Sequence, residues 1–211
     1  MKDKIINGLK WFYRSYIWLG LVLLGLDIFT KQLMMSLPVG ADGVIANWGF
    51  VHISFTLNEG AAFGMGTGNA MANRIIYLVV ATLISVGLGV YLVLKRKEMK
   101  IFIRATLIIV ITGAVGNMID RIFYGPLQGE TGLFTGRVVY WIDFYWFWGY
   151  IFNIADCCIV IAAFMLIIYV IVGEVKDAMA RRKAEASDEK ILSKSEQERL
   201  EREQKSKEEN K

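Results

Sequence analysis

The feature that most constrains this chain is an uncharged run of twenty residues, 75–94 (IIYLVVATLISVGLGVYLVL). The hydrocarbon core of a bilayer is about 30 Å thick, and a helix needs roughly 20 apolar residues to cross it. Three further apolar stretches, 16–36, 105–119 and 157–172, are shorter or are interrupted by polar residues. We interpret them as spans that carry functional groups, so the sequence predicts four transmembrane helices.

Basic residues indicate how these spans are oriented. Nine of them precede the first span or separate the second from the third: Lys2, Lys4, Lys10, Arg14, Lys95, Arg96, Lys97, Lys100 and Arg104. The positive-inside rule places such segments in the cytoplasm. Both chain termini are then expected in the cytoplasm, and the long connections 37–73 and 120–152 outside. Membrane orientation explains this positive charge, so no nucleic-acid partner is expected.

The first outer connection predicts a small β element. Residues 51–58 (VHISFTLN) alternate apolar and polar side chains, as a strand with one wet face does. His52, the only histidine, falls on the polar face and is interpreted as a surface residue. The predicted fold is therefore an all-α membrane protein with four transmembrane helices and a small extracytoplasmic β element.

Two regions of different composition are expected. Residues 1–176 hold the four spans. Residues 177–211 are rich in Lys, Glu, Arg, Gln and Ser, and too poor in apolar residues to bury a core. This second region is predicted to be a cytoplasmic tail, either a solvated helix or a disordered extension.

Ionisable and amide side chains inside or beside the spans are the functional candidates, because a charged group in a span costs roughly 2.5–3.5 kcal/mol. Along the chain they are Asp27, Lys31, Asn117, Asp120, Arg121, Asp143, Asn153 and Asp156. The first span runs outward, the third ends outside and the fourth begins outside. The candidates are therefore expected at one level, near the outer edge of the bilayer.

Two neighbouring carboxylates cannot both ionise cheaply, so one retains a proton while the other acts as a base. Such a pair can activate water for attack on an amide. The sequence offers no second histidine for this chemistry, and adjacent Cys157 and Cys158 have no base at suitable spacing. A metal site formed by the four aspartates stays open, although oxygen-only sites usually include more loop carboxylates.

Each candidate also has a structural interpretation. Asp27 and Lys31 could form only a buried neutral pair. Asp120 with Arg121 could anchor a helix end to headgroups. Asp156 could stabilise a helix N-terminus that Asn153 caps. These alternatives must be invoked one by one for groups at a single depth.

Two other functional classes compete with an enzyme. A proton-coupled transporter would use Asp27, Lys31, Asp120 and Asp156 as a relay. The four spans show no evident inverted repeat, however, and transporter sites usually lie at the midplane. A non-catalytic membrane scaffold would tolerate loss of Asp143 and Asp156.

The segment 140–152 contains nine Phe, Tyr or Trp residues among thirteen. Trp and Tyr favour the headgroup level of a bilayer, which makes interface anchoring one interpretation. A groove for a lipid-bearing substrate is the other, and the two are compatible.

Five motifs resemble the type II signal peptidases, the bacterial lipoprotein (prolipoprotein) signal peptidases. They are Asp27-x-x-x-Lys31, the run 58–64 (NEGAAFG), the run 116–121 (GNMIDR), Asp143-Phe144 and the run 152–156 (FNIAD). The motifs occur in family order relative to four spans and cover roughly residues 15–173. The stretch from Arg121 to Asp143 is longer than in many members, and Tyr140, Trp141 and Ile142 separate the valine pair from Asp143.

The resemblance implies a membrane aspartic endopeptidase in which Asp143 and Asp156 form the catalytic dyad. Supporting and substrate-contacting positions would be Asp27, Lys31, Asn58, Gly60, Asn117, Asp120, Arg121 and Asn153. The implied substrate is a prolipoprotein whose cysteine carries diacylglycerol, cut just before that cysteine without metal or cofactor. The expected location is the bacterial cytoplasmic (inner) membrane, with substrate and membrane lipids as partners and the chain acting as a monomer.

Overall fold

The computed structural model describes residues 2–40, 43–58, 69–145 and 149–209. The helices in these ranges are α1 (Lys2–Ser15), α2 (Ile17–Ser36), α3 (Ala70–Lys95), α4 (Ile101–Phe123) and α5 (Ile154–Glu209). The strands are β1 (Val44–Asn47), β2 (His52–Asn58), β3 (Val138–Asp143) and β4 (Ile151–Phe152).

Four of these helices are long and apolar enough to cross a membrane: α2, α3, α4 and the Ile154–Ser187 part of α5. Each corresponds to one of the four predicted spans, although Tyr16 of the first lies outside α2, and the strand predicted at 51–58 is present as β2, which begins at His52. The predicted fold class is therefore confirmed. The backbone of Tyr16 adopts a left-handed conformation with φ of 62°, and this residue separates α1 from α2.

The distribution of polar and apolar side chains is inverted relative to a water-soluble protein. Leu83 and Val93 on α3 are 68% and 75% exposed, whereas Asp27 and Lys31 on α2 are 1% and 0% exposed. Large contiguous apolar surfaces are rare on soluble monomers. The apolar exterior suits a lipid environment, and the buried charges of α2 require partners within the protein.

The strands form one antiparallel sheet in the order β1-β2-β3-β4. Between β2 and β3, Asn58 lies opposite Val138 and Thr56 opposite Tyr140, while the register shifts between Ile53 and Thr56. β3 then pairs with the short β4, and Asp143 lies opposite Ile151. This last pairing returns the chain directly to the start of α5.

The sheet packs against the ends of two spans through a small hydrophobic cluster. Its buried members are Met34 of α2, Tyr124 just after α4 and Val139 of β3, and Phe55, Leu57 and Trp141 pack around them. The sheet therefore lies at the end of the helices where α2 and α4 finish and α5 begins, which is the end that holds the candidate residues.

The chain divides into two compact units, Met1–Met165 and Leu166–Lys211. The first contains the sheet, α1 to α4 and the beginning of α5. The second consists of the remainder of α5, which is helical to Glu209.

Candidate active site

The ammonium group of Lys31 is the centre of the buried polar network. Its Nζ lies 2.7 Å from Asp27 Oδ2 and 2.8 Å from Asp120 Oδ2, and it donates a hydrogen bond of 3.3 Å to Asn117 Oδ1. An ammonium group has three donors, and these contacts use all of them. Lys31 thus joins α2 to α4. The i to i+4 spacing predicted its contact with Asp27 but not its contacts with Asp120 and Asn117.

The two aspartates beside Lys31 also hold neighbouring backbone. Asp27 Oδ1 accepts a hydrogen bond of 2.8 Å from the Ala155 amide in the first turn of α5. Asp120 Oδ2 accepts one of 3.2 Å from the Val139 amide in β3. The amides at a helix N-terminus have no intrahelical partner, so Asp27 satisfies one of those of α5. Both carboxylates are therefore occupied by structural contacts.

Asn117 and Asn153 extend the network to Asp156. Asn117 Oδ1 accepts a hydrogen bond of 3.0 Å from Asn153 Nδ2, and Asn117 Nδ2 donates one of 2.8 Å to Asp156 Oδ1. Asn153 Nδ2 also donates to the Val139 carbonyl at 3.1 Å. A continuous path of polar contacts thus runs from Asp27 through Lys31 and Asn117 to Asp156.

Asn153 and Asp156 cap the start of α5 reciprocally. The Asp156 amide donates to Asn153 Oδ1 at 2.8 Å, and the Asn153 amide donates to Asp156 Oδ2 at 3.1 Å. This is the pattern of a capping box, with Asn and Asp in place of the usual Ser/Thr and Glu. The capping roles weighed from the sequence are present, and they hold the Asp156 carboxylate in one orientation.

Asp156 differs from the other carboxylates of the network in exposure. Asp27 and Asp120 are 1% and 0% exposed, whereas Asp156 is only partly buried. Asp27 and Asp120 also share the charge of Lys31. Asp156 is therefore the least buried carboxylate of this network.

Asp143 lies in different surroundings. Its Oδ2 accepts a hydrogen bond of 3.0 Å from Ser54 Oγ on β2. With His52, Ser54 and Tyr145 it lines a cavity of about 1100 Å³ on the sheet. Among the residues that the structure describes, no hydrogen bond joins Asp143 to Asp156. The β3–β4 pairing brings the two segments together, but the two carboxylates have separate partners.

The four aspartates weighed as a metal site are not gathered around a common point. Asp27 and Asp120 flank Lys31, Asp143 binds Ser54, and Asp156 binds the two asparagines. Within the described ranges, no group of three or more His, Cys, Asp or Glu side chains is placed to hold a metal ion.

The interpretation of His52 as a surface residue is wrong. His52 is 8% exposed, and its ring stacks on Tyr145 with centroids 4.7 Å apart. It also lies opposite Asp143 in the sheet. The alternating pattern identified its strand correctly, but the ring of Tyr145 stacks on the face that was taken to be wet.

Arg121 contacts the network, and Asn58 contacts Tyr140 of β3. Arg121 donates from Nη1 to the Asn117 carbonyl at 2.9 Å, and its guanidinium lies 5.5 Å from the centre of the Tyr77 ring. Asn58 Nδ2 donates to the Tyr140 hydroxyl at 3.0 Å. Gly60 lies outside the described residues.

Tyr140 was missed as a site residue, because the sequence placed it among interface aromatics. Burial and then the negative charge of Asp156 raise the pKa of Tyr140 to about 12. Residues three apart in a strand point to opposite faces. The alternation along β3 could therefore have shown that Tyr140 and Asp143 lie on different faces of the sheet.

Glycines allow the helices to approach closely around the network. A Cβ on Gly116 would lie 2.7 Å from Asp27 Oδ2 and 2.9 Å from the Ala155 Cβ. A Cβ on Gly20 would lie 2.8 Å from Thr112 Oγ1. Small residues serve this purpose at helix interfaces in membranes, where close packing rather than hydrophobic burial drives association.

Gly116→Ala is expected to destabilise the protein by about 1–3 kcal/mol, the usual cost of overpacking, and to reduce activity. The added methyl group would push Asp27 away from the Ala155 amide. Thermal unfolding in detergent would measure the change. Gly87→Ala on α3 is the matched control, because a Cβ there meets nothing within 4 Å. Equal stability of the two variants would contradict the prediction.

Comparison with known proteins identifies the family of this chain. The family model of signal peptidase (SPase) II matches residues 19–172. The lipoprotein signal peptidase of Clostridioides difficile (strain 630) is 35% identical over 161 residues, covering 76% of this chain and 97% of that protein. The one from Caldanaerobacter subterraneus subsp. tengcongensis is 34% identical over 143 residues, covering 67% and 85%.

A solved structure described as a bacterial membrane enzyme, determined by the in meso method at 2.3 Å resolution, has a similar fold. Its TM-score is 0.60 at 26% sequence identity, and the match covers 74% of this chain and 87% of that one. The family match covers the second and third spans, parts of the first and fourth, and every residue of the polar network. The chain belongs to the signal peptidase II family of membrane proteases.

Proposed function

We propose that this chain removes the signal peptide from diacylglyceryl-modified prolipoproteins by cutting just before the lipidated cysteine. The observation that carries the proposal is the state of Asp156. Asp156 is a partly buried residue whose two carboxylate oxygens are held by Asn117 and Asn153, in a network whose other carboxylates, Asp27 and Asp120, are almost wholly buried.

In this proposal Asp156 and Asp143 hold a water molecule and share one proton. The Asp156 carboxylate accepts a proton from the water while the water oxygen adds to the scissile carbonyl carbon. Asp143, in its protonated form, gives a proton to the departing amine nitrogen as the C–N bond breaks. General acid–base catalysis of this kind typically contributes about 10²–10⁴ in rate. In this structure Asp143 binds Ser54 and points to the opposite face of β3 from Tyr140, so this part of the chain must rearrange to bring the Asp143 carboxylate beside Asp156 before the dyad forms.

The network around Lys31 supports the reaction by rigidity. Asn117 and Asn153 each contact both the Lys31–Asp120–Val139 region and Asp156. Preorganised supporting contacts of this kind hold a reacting group in its productive orientation. Arg121 holds the Asn117 backbone from the other side. Asn58 and Gly60 are proposed to contact the substrate backbone.

Placement in the membrane follows from the same proposal. The network lies where α2 and α4 end and α5 begins, and the basic segments 2–14 and 95–104 lie at the opposite ends of α2 and α4. By the positive-inside rule the site is then near the outer surface of the cytoplasmic membrane, with both termini and the charged tail 177–211 inside. The diacylglycerol chains remain in the bilayer beside the aromatic segment, and the chain acts as a monomer.

Purified protein in detergent is expected to cleave a diacylglyceryl-modified precursor, and to do so equally well with a chelator present, because the proposed chemistry uses only carboxylates and water. Gel mobility and mass spectrometry would identify the cut. The same precursor without lipid is the matched substrate control. A folded protein that leaves the lipidated precursor intact would contradict the proposal, and proton-driven uptake by liposomes containing the protein would favour a transporter instead.

A further inference from the structure

The Tyr140 hydroxyl is a polar group at the site that the two-aspartate scheme does not use. It lies in β3 directly after Val139, whose amide bonds Asp120 and whose carbonyl bonds Asn153. These two bonds dock this part of the strand onto the ends of α4 and α5. Tyr140 is therefore the next residue after Val139, through which β3 contacts the network that holds Asp156.

Asp143 is three residues further along the same strand, and its side chain points to the opposite face. That face carries Ser54, which donates to Asp143, and His52, which lies opposite it. On the face of Tyr140, Asn58 donates to the tyrosine oxygen. Of these two side chains, Tyr140 is the one whose electrostatic surroundings include Asp156 and Arg121.

The hydrogen bond from Asn58 uses the oxygen of the Tyr140 hydroxyl and does not use its proton. A tyrosine has one O–H donor and also accepts through its oxygen. Because Asn58 donates to that oxygen at 3.0 Å, the hydroxyl proton is directed to a different acceptor. The pKa of Tyr140 is raised to about 12, first by burial and then by Asp156, so the hydroxyl stays protonated at neutral pH.

We propose that Tyr140 is a further catalytic residue, whose hydroxyl donates a hydrogen bond to the scissile carbonyl oxygen while Asp156 activates the water. This inference rests on the proposed function. As the water oxygen adds to the carbonyl carbon, the C=O π electrons move onto the carbonyl oxygen, and the tyrosine proton stabilises the charge without being transferred. When the intermediate collapses, those electrons re-form the C=O bond and the C–N bond breaks. Tyr140 is unchanged at the end of the cycle.

Tyr140→Phe tests the inference, because it removes the hydroxyl and keeps the ring. Loss of one donor to a developing oxyanion typically lowers kcat by about 10²–10³. We expect that loss for cleavage of the lipidated precursor, with little change in KM. Tyr124→Phe is the matched control: Tyr124 is also buried, with its pKa likewise raised to about 12, but its ring packs in the hydrophobic cluster. Its kcat should stay close to that of the wild type.

Tyr140 ionisation gives a second result that does not depend on activity. With ¹³Cζ-labelled tyrosine, NMR at alkaline pH would follow the Tyr140 resonance, assigned by its absence from Tyr140→Phe. Because the Asp156 charge raises this pKa, Asp156→Asn should lower it, whereas Asp143→Asn should leave it in place. The Tyr124 resonance should not respond to Asp156→Asn.

The outcomes separate the two proposals. Wild-type kcat in a folded Tyr140→Phe protein would overturn the role of Tyr140 and leave the proposed function standing. A Tyr140 pKa that responds to Asp143→Asn and not to Asp156→Asn would overturn the placement. A folded wild type without cleavage would overturn the proposed function and the role of Tyr140 together.

Discussion

Asp156→Asn is expected to lower cleavage of the lipidated precursor by about 10²–10⁴-fold, the usual contribution of a general base. An amide cannot accept the proton of the attacking water. The asparagine can still accept the hydrogen bond from the Asn153 amide or from Asn117 through its one carbonyl oxygen, so α5 should remain folded. Asp143→Asn is expected to cause a loss of similar size, because it removes the second carboxylate of the dyad.

Initial rates at saturating precursor would measure both effects, with thermal unfolding in detergent as the check on folding. Asp177→Asn is the matched control, since Asp177 is an exposed aspartate further along α5. Full activity in a folded Asp156→Asn protein would remove the basis of the proposed mechanism. Full activity in Asp143→Asn alone would remove Asp143 from the dyad and leave Tyr140 as the group opposite Asp156.

Lys31→Met is expected to destabilise the protein by about 3–5 kcal/mol, because loss of one member of a buried ion pair leaves its partners uncompensated. Here two carboxylates are affected, Asp27 and Asp120, and both are almost wholly buried. Their hydrogen bonds to the Ala155 and Val139 amides would persist but could not replace the ammonium charge. Unfolding by a denaturing detergent, monitored by circular dichroism, would measure the loss.

Two matched variants make this result specific. The triple change Asp27→Asn, Lys31→Met and Asp120→Asn removes all three charges, and replacing a whole buried ionic group is often close to neutral. It should recover most of the lost stability. Lys95→Met breaks an exposed pair with Glu98, at 2.9 Å, which is worth at most about 1 kcal/mol. A Lys31→Met protein as stable as Lys95→Met would show that the buried network does not hold the fold together.

Much of the fold could be read from the chain because membrane insertion depends on local composition. A span needs about twenty apolar residues wherever it occurs, and alternation over 51–58 is a property of eight consecutive residues. The shared depth of the candidates also follows from counting spans. The structure brings Asp27, Lys31, Asn117, Asp120, Asn153 and Asp156 into one connected network, whereas Asp143 binds Ser54.

The partners within the site could not be read in the same way. The i to i+4 spacing predicted that Lys31 pairs with Asp27. The contact of Lys31 with Asp120, however, depends on how α2 packs against α4. The contact between Asp27 and the Ala155 amide joins residues 128 positions apart. The close approach at Gly116 that permits this contact is a result of helix packing.

The sequence by itself determined the four spans, the β element and the set of polar residues at one end of the helices, because hydropathy and alternation act over neighbouring residues. Only the tertiary structure decided that His52 is buried, that Asp143 bonds Ser54 and that the charge of Asp156 helps to raise the pKa of Tyr140. Alternation shows that Tyr140 and Asp143 point to opposite faces of β3. Which face meets the helices depends on the register of β3 with β2 and on the docking of Val139 against Asp120 and Asn153, and these are contacts between distant parts of the chain.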